Sequence, residues 1–428
     1  MISIQQIFAK RPLVRELIIN NSLSIFSNLY RLSLSALLNI LLARELGVET
    51  FGAFVSTQAL VGIVYSISHL GVHITATRQA SQAERNIGPY FGNALSIRLF
   101  VIIPLTIVGA VFTNEFIEIS SSTLIGLMAL FTGLTGLAGL PALALQALNR
   151  FDVQTKFDIG ARTLSSLVVI AVLITTGDLV LVLMTMCLSQ LGIYKLFDYG
   201  LGQLGHKIRP RNDLNLWRTM IVDSFPLILA GSAEFINLRV DSVFIASMIG
   251  EQAVGIYGAA YNIYLIAASC GYFIAVATFP TLSRYYFERN SVAFLGLVTK
   301  LSLVVGSLGI LVSLVVLSLS NVAISLVYGS EFLEALLPLQ ILIWALPFYV
   351  LNRFSIQALI ASNQQKWTFR ATFLGAIFNL STNFVFVPQY GILAAAATTV
   401  VTEALVWLVT IFGLRKAHAN RHYHNEVG

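Results

Sequence analysis

The chain has 428 residues, of which 57% are hydrophobic and only 11% charged, and its mean hydropathy is +0.81. Water-soluble domains carry about 25% charged residues, so the composition excludes a soluble globular protein and reads as an integral membrane protein. A net charge of +6 would suit nucleic acid, but basic loops on one membrane face account for it, and no nucleic-acid partner is expected.

The N-terminal stretch MISIQQIFAKRPLVRE is basic and amphipathic. No small-residue cleavage site follows it, so no removable signal peptide is expected. A spanning helix needs about 20 mostly apolar residues. Twelve such runs are predicted, at roughly 17–42, 52–74, 92–112, 121–148, 158–176, 179–197, 219–248, 254–281, 297–318, 335–361, 368–387 and 391–413. The longest connection, 198–218, carries His206, Lys207, Arg209, Arg211 and Arg218. With the N-terminus inside, the inner segments hold nearly all loop Lys and Arg, and the outer loops hold Arg44 alone beside acids such as Glu45, Glu49, Glu115, Glu118 and Asp178. Basic residues mark the cytoplasmic side, so both termini are expected in the cytoplasm.

Charges within the spans are costly and face a cavity or a partner. In the first span, Asn20, Ser24, Ser27, Asn28, Arg31 and Ser35 step by three and four onto one face, with Arg31 near mid-membrane. Such a stripe should line water or a ligand; the alternative is an arginine paired to a carboxylate that locks two helices. His69 and His73 are spaced i, i+4 at the inner end of span two, without a carboxylate pattern for a metal. Arg98 lies about two turns into span three. Asp158 and Arg162 are i, i+4 and read as a local ion pair. Cys187 and Cys270 lie in apolar runs and suggest neither a disulfide framework nor a zinc site.

In span seven, Pro226 should kink the helix. Glu234, Asn237 and Asp241 fall on one face, with Arg239 beside them. In the later spans, Tyr257, Tyr261 and Asn262 face a sugar or only pack. Arg353 and Gln357 are i, i+4, as are Asn379 and Asn383, whose amides suggest interhelical hydrogen bonds. Lys300 and Asp223 lie near the inner face and can snorkel. Glu403 sits mid-span and is expected protonated or bonded to a neighbour. No glycine is followed by lysine, so there is no Walker A loop, and no G-x-S-x-G occurs. No catalytic residue, metal or cofactor is expected.

Two stretches recur. ARELGVETFGAF from Ala43 matches ASMIGEQAVGIY from Ala246, offset by 203, and QALNRFDVQTK from Gln146 matches QALIASNQQKW from Gln357, offset by 211. They suggest a parallel six-plus-six duplication, an arrangement that places a substrate site between halves. The first offset sets Arg31 opposite Glu234, and a pair across a central cleft is expected in one state of the transporter.

The opening LLARELGVETFGAFVSTQAL, after a polar first helix, resembles bacterial polysaccharide exporters, the lipid-linked oligosaccharide flippases of the Wzx type. ALIASNQQKWTFRA and NLSTNFVFVPQYGILAAAATTVVTEAL resemble the last two helices of that family. The resemblance covers nearly the whole chain and identifies the superfamily, which includes MATE-type multidrug exporters, better than the substrate. It implies an all-α membrane protein of twelve helices in two six-helix lobes, MATE-like and V-shaped. The N-terminal lobe is 1–198, the cytoplasmic linker 199–218, and the C-terminal lobe with its basic tail 219–428. The implied function is translocation of an undecaprenyl-diphosphate-linked oligosaccharide, an O-antigen or related repeat unit, across the bacterial inner membrane by alternating access. Cavity arginines would hold the diphosphate, because a guanidinium is always charged and forks onto phosphate.

The expected cavity set is Ser24, Asn28, Arg31, Arg98, Asn237, Arg239 and Arg353, with Glu234 and Asp241 as ion-coupling or gating carboxylates. Partners are the lipid-linked substrate and membrane lipids, with room for other polysaccharide-assembly membrane proteins; a monomer suffices, since two lobes already supply a cleft. Two other readings stand. A MATE-type drug or cation antiporter would favour a net acidic cavity, and a membrane glycan polymerase or ligase would need a large basic outer loop, which this chain lacks.

Overall fold

The computed structural model describes residues 12–69, 71–82, 86–288 and 290–426. They are helical almost throughout. In chain order the helices are α1 (Pro12–Ser68), α2 (Val72–Gln82), α3 (Ile87–Ile97), a π-helical turn (Arg98–Ile102), α4 (Ile103–Ile117), α5 (Ser122–Ala147), α6 (Phe151–Thr176), α7 (Leu179–Gln203), α8 (Leu214–Met248), α9 (Glu251–Phe287), α10 (Ser291–Val327), a 3-10 turn (Ser330–Ala335), α11 (Leu336–Leu342), a second 3-10 turn (Ile343–Ala345), α12 (Leu346–Ala361) and α13 (Gln365–Glu426). Eight helical stretches among the described residues are long and apolar enough to cross a membrane. Several run past the apolar segments that predict them. α10 extends beyond 297–318 at both ends, because hydrogen bonds to the preceding turn persist where the chain leaves the hydrocarbon.

Two stretches are interrupted where a glycine leaves helical geometry: α1 at Gly47 (φ 75°, ψ 176°) and α13 at Gly391 (φ 63°, ψ −145°). Gly250, between α8 and α9, has φ 124° and ψ 171°. This region is essentially closed to residues with a side chain. Gly47 and Gly250 are the glycines aligned by the 203-residue offset, and they do the same work, turning one helix into the next. Helix ends elsewhere are closed by side chains. Asp178 Oδ1 accepts from Val180 N at 2.7 Å, and Asn290 Oδ1 accepts from Ala293 N at 3.0 Å, which satisfies amides that have no partner in the helix. The expected kink at Pro226 falls on a side chain outside the described residues; the bounds of α8 run across it.

The chain forms two compact units. Unit 1 comprises 1–41, 64–116 and 121–229; unit 2 comprises 42–63, 117–120 and 230–428. Unit 1 is organised around Phe91, Ile97, Leu140, Phe197, Leu201 and Met220, all buried. The connection after α7 packs onto it: Arg211 N donates to Gly92 O at 3.1 Å, and Asn93 Oδ1 accepts from Asp213 N and from Trp217 Nε1. One buried cluster of unit 2 gathers Leu282, Phe294, Val298, Phe354, Leu359 and Leu414.

Inside unit 2 the two halves of the aligned pair meet backbone to backbone. A Cβ on Gly52 would stand 1.8 Å from Glu251 O, and one on Gly255 would stand 2.1 Å from Val48 O. These two contacts exchange under the same 203-residue offset. Small residues permit this approach, which suits helices that associate by packing in lipid. Pro347 shows the complementary device. It cannot donate to Ile343 O, which accepts from Leu346 N in the 3-10 turn and from Ser313 Oγ at 3.0 Å.

Candidate functional site

In unit 1 the polar face of α1 meets α6. Ser27 Oγ donates to Asp158 Oδ2 at 2.7 Å, and Tyr30 shares a hydrogen bond with Thr163. Arg162 Nε donates to the other Asp158 oxygen at 2.6 Å, so the expected i, i+4 ion pair is present. Arg31 is exposed and donates to Asn28 Oδ1; its charged neighbours are Arg162 and Asp158. Asp158 is bonded on both oxygens by Ser27 and Arg162, and Arg31 has no ion pair among the described residues. The side chain of Ser24 lies outside the described residues. Arg98 stands apart on the π-helical turn, only 3% exposed, and donates from Nη1 to Tyr65 Oη at 3.1 Å.

In unit 2 the carboxylates have specific partners. Glu234 forms an ion pair with Arg353, whose guanidinium also lies over the Tyr349 ring, 4.7 Å from its centre. Glu234 therefore has its partner inside its own unit, supplied by α12; the expected pairing with Arg31 assigned it a different one. Asn237 donates to Thr372 O at 3.0 Å, which ties α8 to α13. Asn352 Nδ2 donates to Glu403 Oε2 at 2.6 Å, so of the two expectations for Glu403 the bonded neighbour is the one seen.

Asp241 is 1% exposed and fully engaged. Its Oδ2 accepts from Tyr257 Oη at 2.8 Å and Thr399 Oγ1 at 2.7 Å, and its Oδ1 accepts from Asn383 Nδ2 at 3.0 Å. Asn383 also donates to Asn379 Oδ1, so the predicted amide pair of α13 serves this carboxylate. Tyr257 and Tyr261 are 0% and 4% exposed: they pack rather than face a sugar. Arg239 has no ion pair among the described residues, and Tyr261 is its polar neighbour. The roles of Tyr257 and Thr399 escape sequence reading, because neither is charged and each comes from another helix, Tyr257 from the next one and Thr399 from one 158 residues away.

Residues 18–286, more than half of the chain, match the family described as polysaccharide biosynthesis protein. The chain belongs to that family. Residues 226–385 also match the MatE family. Among curated proteins, this family member is 20% identical over 197 residues to the capsular polysaccharide biosynthesis protein CapF of Staphylococcus aureus, covering 46% of this chain and 50% of that one. The chain spans half or less of the length of the curated relatives it matches. Among solved structures, the chain is similar to a multidrug resistance MATE family transporter of the MOP superfamily in an inward-facing conformation, with a TM-score of 0.71 and 14% identity over 91% of this chain and 96% of the other. It is also similar to the lipid II flippase MurJ in an inward closed conformation, with a TM-score of 0.66 and 17% identity over 94% and 89%. At these identities the likeness is one of fold, and the family member is a multi-pass membrane protein of the MATE/MOP architecture.

Proposed function

We propose that this protein is a flippase that carries a polyprenyl-diphosphate-linked oligosaccharide across the bacterial inner membrane by alternating access. Twelve spans in two lobes, 1–198 and 219–428 with the linker 199–218, both termini in the cytoplasm, make up the machine. The parallel repeat is supported by the interchangeable Gly52–Glu251 and Gly255–Val48 contacts. The reaction breaks no covalent bond, and no cofactor or catalytic residue is required. The observation that carries the substrate class is the positive charge of Arg31, exposed on the polar face of α1 and without an ion pair among the described residues, beside an Asp158 already engaged by Arg162 and Ser27. An arginine turned to lipid is expensive, whereas one turned to a polar cavity can fork onto a phosphate. The family's involvement in polysaccharide synthesis and the fold it shares with a lipid II flippase support the same reading.

Arg31, with Asn28 and Ser24, holds the headgroup in this reading; Arg98, Asn237, Arg239 and Arg353 supply further polar contacts along the path. Asp241 and Glu234 couple the cycle to a proton or sodium ion, or gate it. Asp241 is the better suited of the two, because its cage of a tyrosine, a threonine and an asparagine can rearrange around an added cation. A membrane potential is the other source of drive, worth about 2.3 kcal/mol per charge per 100 mV.

The test is translocation in proteoliposomes. Polyprenyl-diphosphate oligosaccharide is loaded in one leaflet and its appearance in the other is scored with an external enzyme. Wild type should translocate it, and Arg31→Ala should be slower by tenfold or more, about the 1.4 kcal/mol or more carried by a charged hydrogen bond. Equal rates would leave a flippase in which Arg31 is structural. A folded wild type that moves none of several glycans but exchanges cations for drugs would favour the MATE-type antiporter, the reading that the MatE match and the buried acid Asp241 support.

A further inference from the structure

Arg98 sits among groups that give it no counter-charge. It is 3% exposed, and among the described residues its Nε is buried without a partner and its side chain hydrogen-bonds to a neutral phenol, Tyr65. None of the ion pairs among the described residues includes it. An isolated buried cation is costly unless something anionic reaches it for part of the cycle. The fold makes room for the group: a Cβ on Gly136 would stand 2.1 Å from both Arg98 Nη1 and Tyr65 Oη. The π-helical turn Arg98–Ile102 re-aims the side chain at this point, a distortion that often marks functional sites.

Two imidazoles complete the cluster. The rings of Tyr65, His69 and His73 form a ladder with centroids 5.6 and 5.5 Å apart. Arg98 is the charged neighbour of both histidines. All three ladder residues are partly exposed. His73 Nδ1 is buried without a partner. His69 Nδ1 lies 2.7 Å from Ser66 O. A carbonyl only accepts, so Nδ1 carries the hydrogen and Nε2 of the neutral ring presents a lone pair. That lone pair repels an oxyanion. Protonation at Nε2 turns the same atom into a charged donor.

We propose that Arg98, His69 and His73 form a proton-linked oxyanion site in unit 1, which takes phosphate or diphosphate together with one proton on His69. The site is separate from the Arg31 face, and it rests on the anionic-headgroup reading above. Arg98 supplies a fixed charge and His73 a hydrogen-bond donor. The groups facing His69 are Tyr65 from its own helix, His73 from α2 and Arg98 from the π-helical turn, with no carboxylate among the described residues. The opposite side of α2 is occupied by Thr75, which shares a hydrogen bond with Ser224.

The experiment titrates inorganic pyrophosphate into the purified full chain in nanodiscs by calorimetry, at about pH 6 and about pH 8, on either side of the ordinary imidazole range. Buffers of different ionisation enthalpy count the protons. Wild type should take up one proton beyond the exchange seen with His69→Gln and, relative to that variant, bind more tightly at the lower pH, by no more than about tenfold per pH unit, the limit for one linked proton. His69→Gln should bind with only the proton exchange and pH dependence that the ionisation of pyrophosphate itself brings. Arg98→Gln should lose binding at both pH values, and Arg98→Lys should restore part of it, which separates charge from misfolding. Binding with no proton uptake beyond that seen with His69→Gln would overturn the site. So would a wild type that translocates lipid-linked oligosaccharide but binds no pyrophosphate, and that outcome leaves the flippase reading intact. Proton-linked binding in a chain that translocates nothing would sustain the site while removing the flippase reading.

Discussion

Asp241 should be more costly to truncate than to neutralise. Its carboxylate receives Tyr257, Thr399 and Asn383. Asp241→Ala leaves the Tyr257 phenol without that acceptor, and a buried donor left unmade costs about 1–3 kcal/mol, while Asn383 still has Asn379. Thr399 still has Ala395 O. Asp241→Asn keeps one oxygen in place. Thermal unfolding in detergent should therefore rank wild type above Asn above Ala, while sodium or proton dependence of transport should vanish in both variants; equal stability of the two variants would show that the cage does not bear on the fold. For Glu234 and Arg353, a double-mutant cycle with Glu234→Gln and Arg353→Gln should return a coupling of about 0.5–2 kcal/mol, the range for polar contacts between membrane helices. A coupling of zero would make their approach incidental. Both acids were visible in the sequence, since a carboxylate in an apolar run stands out. Their partners were not, because Arg353 lies 119 residues from Glu234 and Thr399 lies 158 from Asp241.

The helices obey a simpler rule than the side chains. Apolar runs locate them, while glycine, asparagine and aspartate mark where they turn. The αL residues Asn149 and Asn363 (φ 59° and 56°) close the helices before α6 and α13, and both belong to the stretches that recur in the sequence. Sequence periodicity did not reveal the π-helical turn after α3 or the 3-10 turn before Pro347. Each depends on what packs against the backbone. Tight contact also separates glycines that look alike on paper. Gly52→Ala and Gly255→Ala should sharply reduce the yield of folded protein, since the new methyl meets a backbone carbonyl that cannot move aside. Gly192→Ala has open space around its Cβ and should be neutral or gain up to about 1 kcal/mol, because alanine restricts the unfolded chain. Fluorescence size-exclusion profiles of the three variants make the comparison, and equal yields would show that the α1–α9 approach yields to a methyl group.

For the molecule as a whole, the strongest forecast concerns orientation. Nearly all loop Lys and Arg fall on alternate connections, and that bias sets which side is cytoplasmic. In a background carrying Cys187→Ser and Cys270→Ser, a membrane-impermeant maleimide should label Ser330→Cys in intact cells. It should label Asn212→Cys only after permeabilisation. The reverse pattern would turn the protein over and place the basic connections outside.

The sequence by itself determined membrane residence, the approximate spans, the charge bias between the two sides and the family resemblance. Hydropathy and loop charge are sums over many residues, and they survive ignorance of any one contact. Tertiary structure alone decided which polar groups meet across helices: Glu234 with Arg353, Asp158 with Ser27, Asp241 with a tyrosine, a threonine and an asparagine, and Arg98, among the described residues, with no carboxylate. A hydrogen bond requires its two atoms to lie within about 3 Å, and helix packing sets that distance, across more than a hundred residues of intervening chain for each of these pairs except Asp241 and Tyr257. The buried arginine with no counter-charge among the described residues is likewise a property of the packed molecule, because burial and the pairing of charges exist only once the helices have come together.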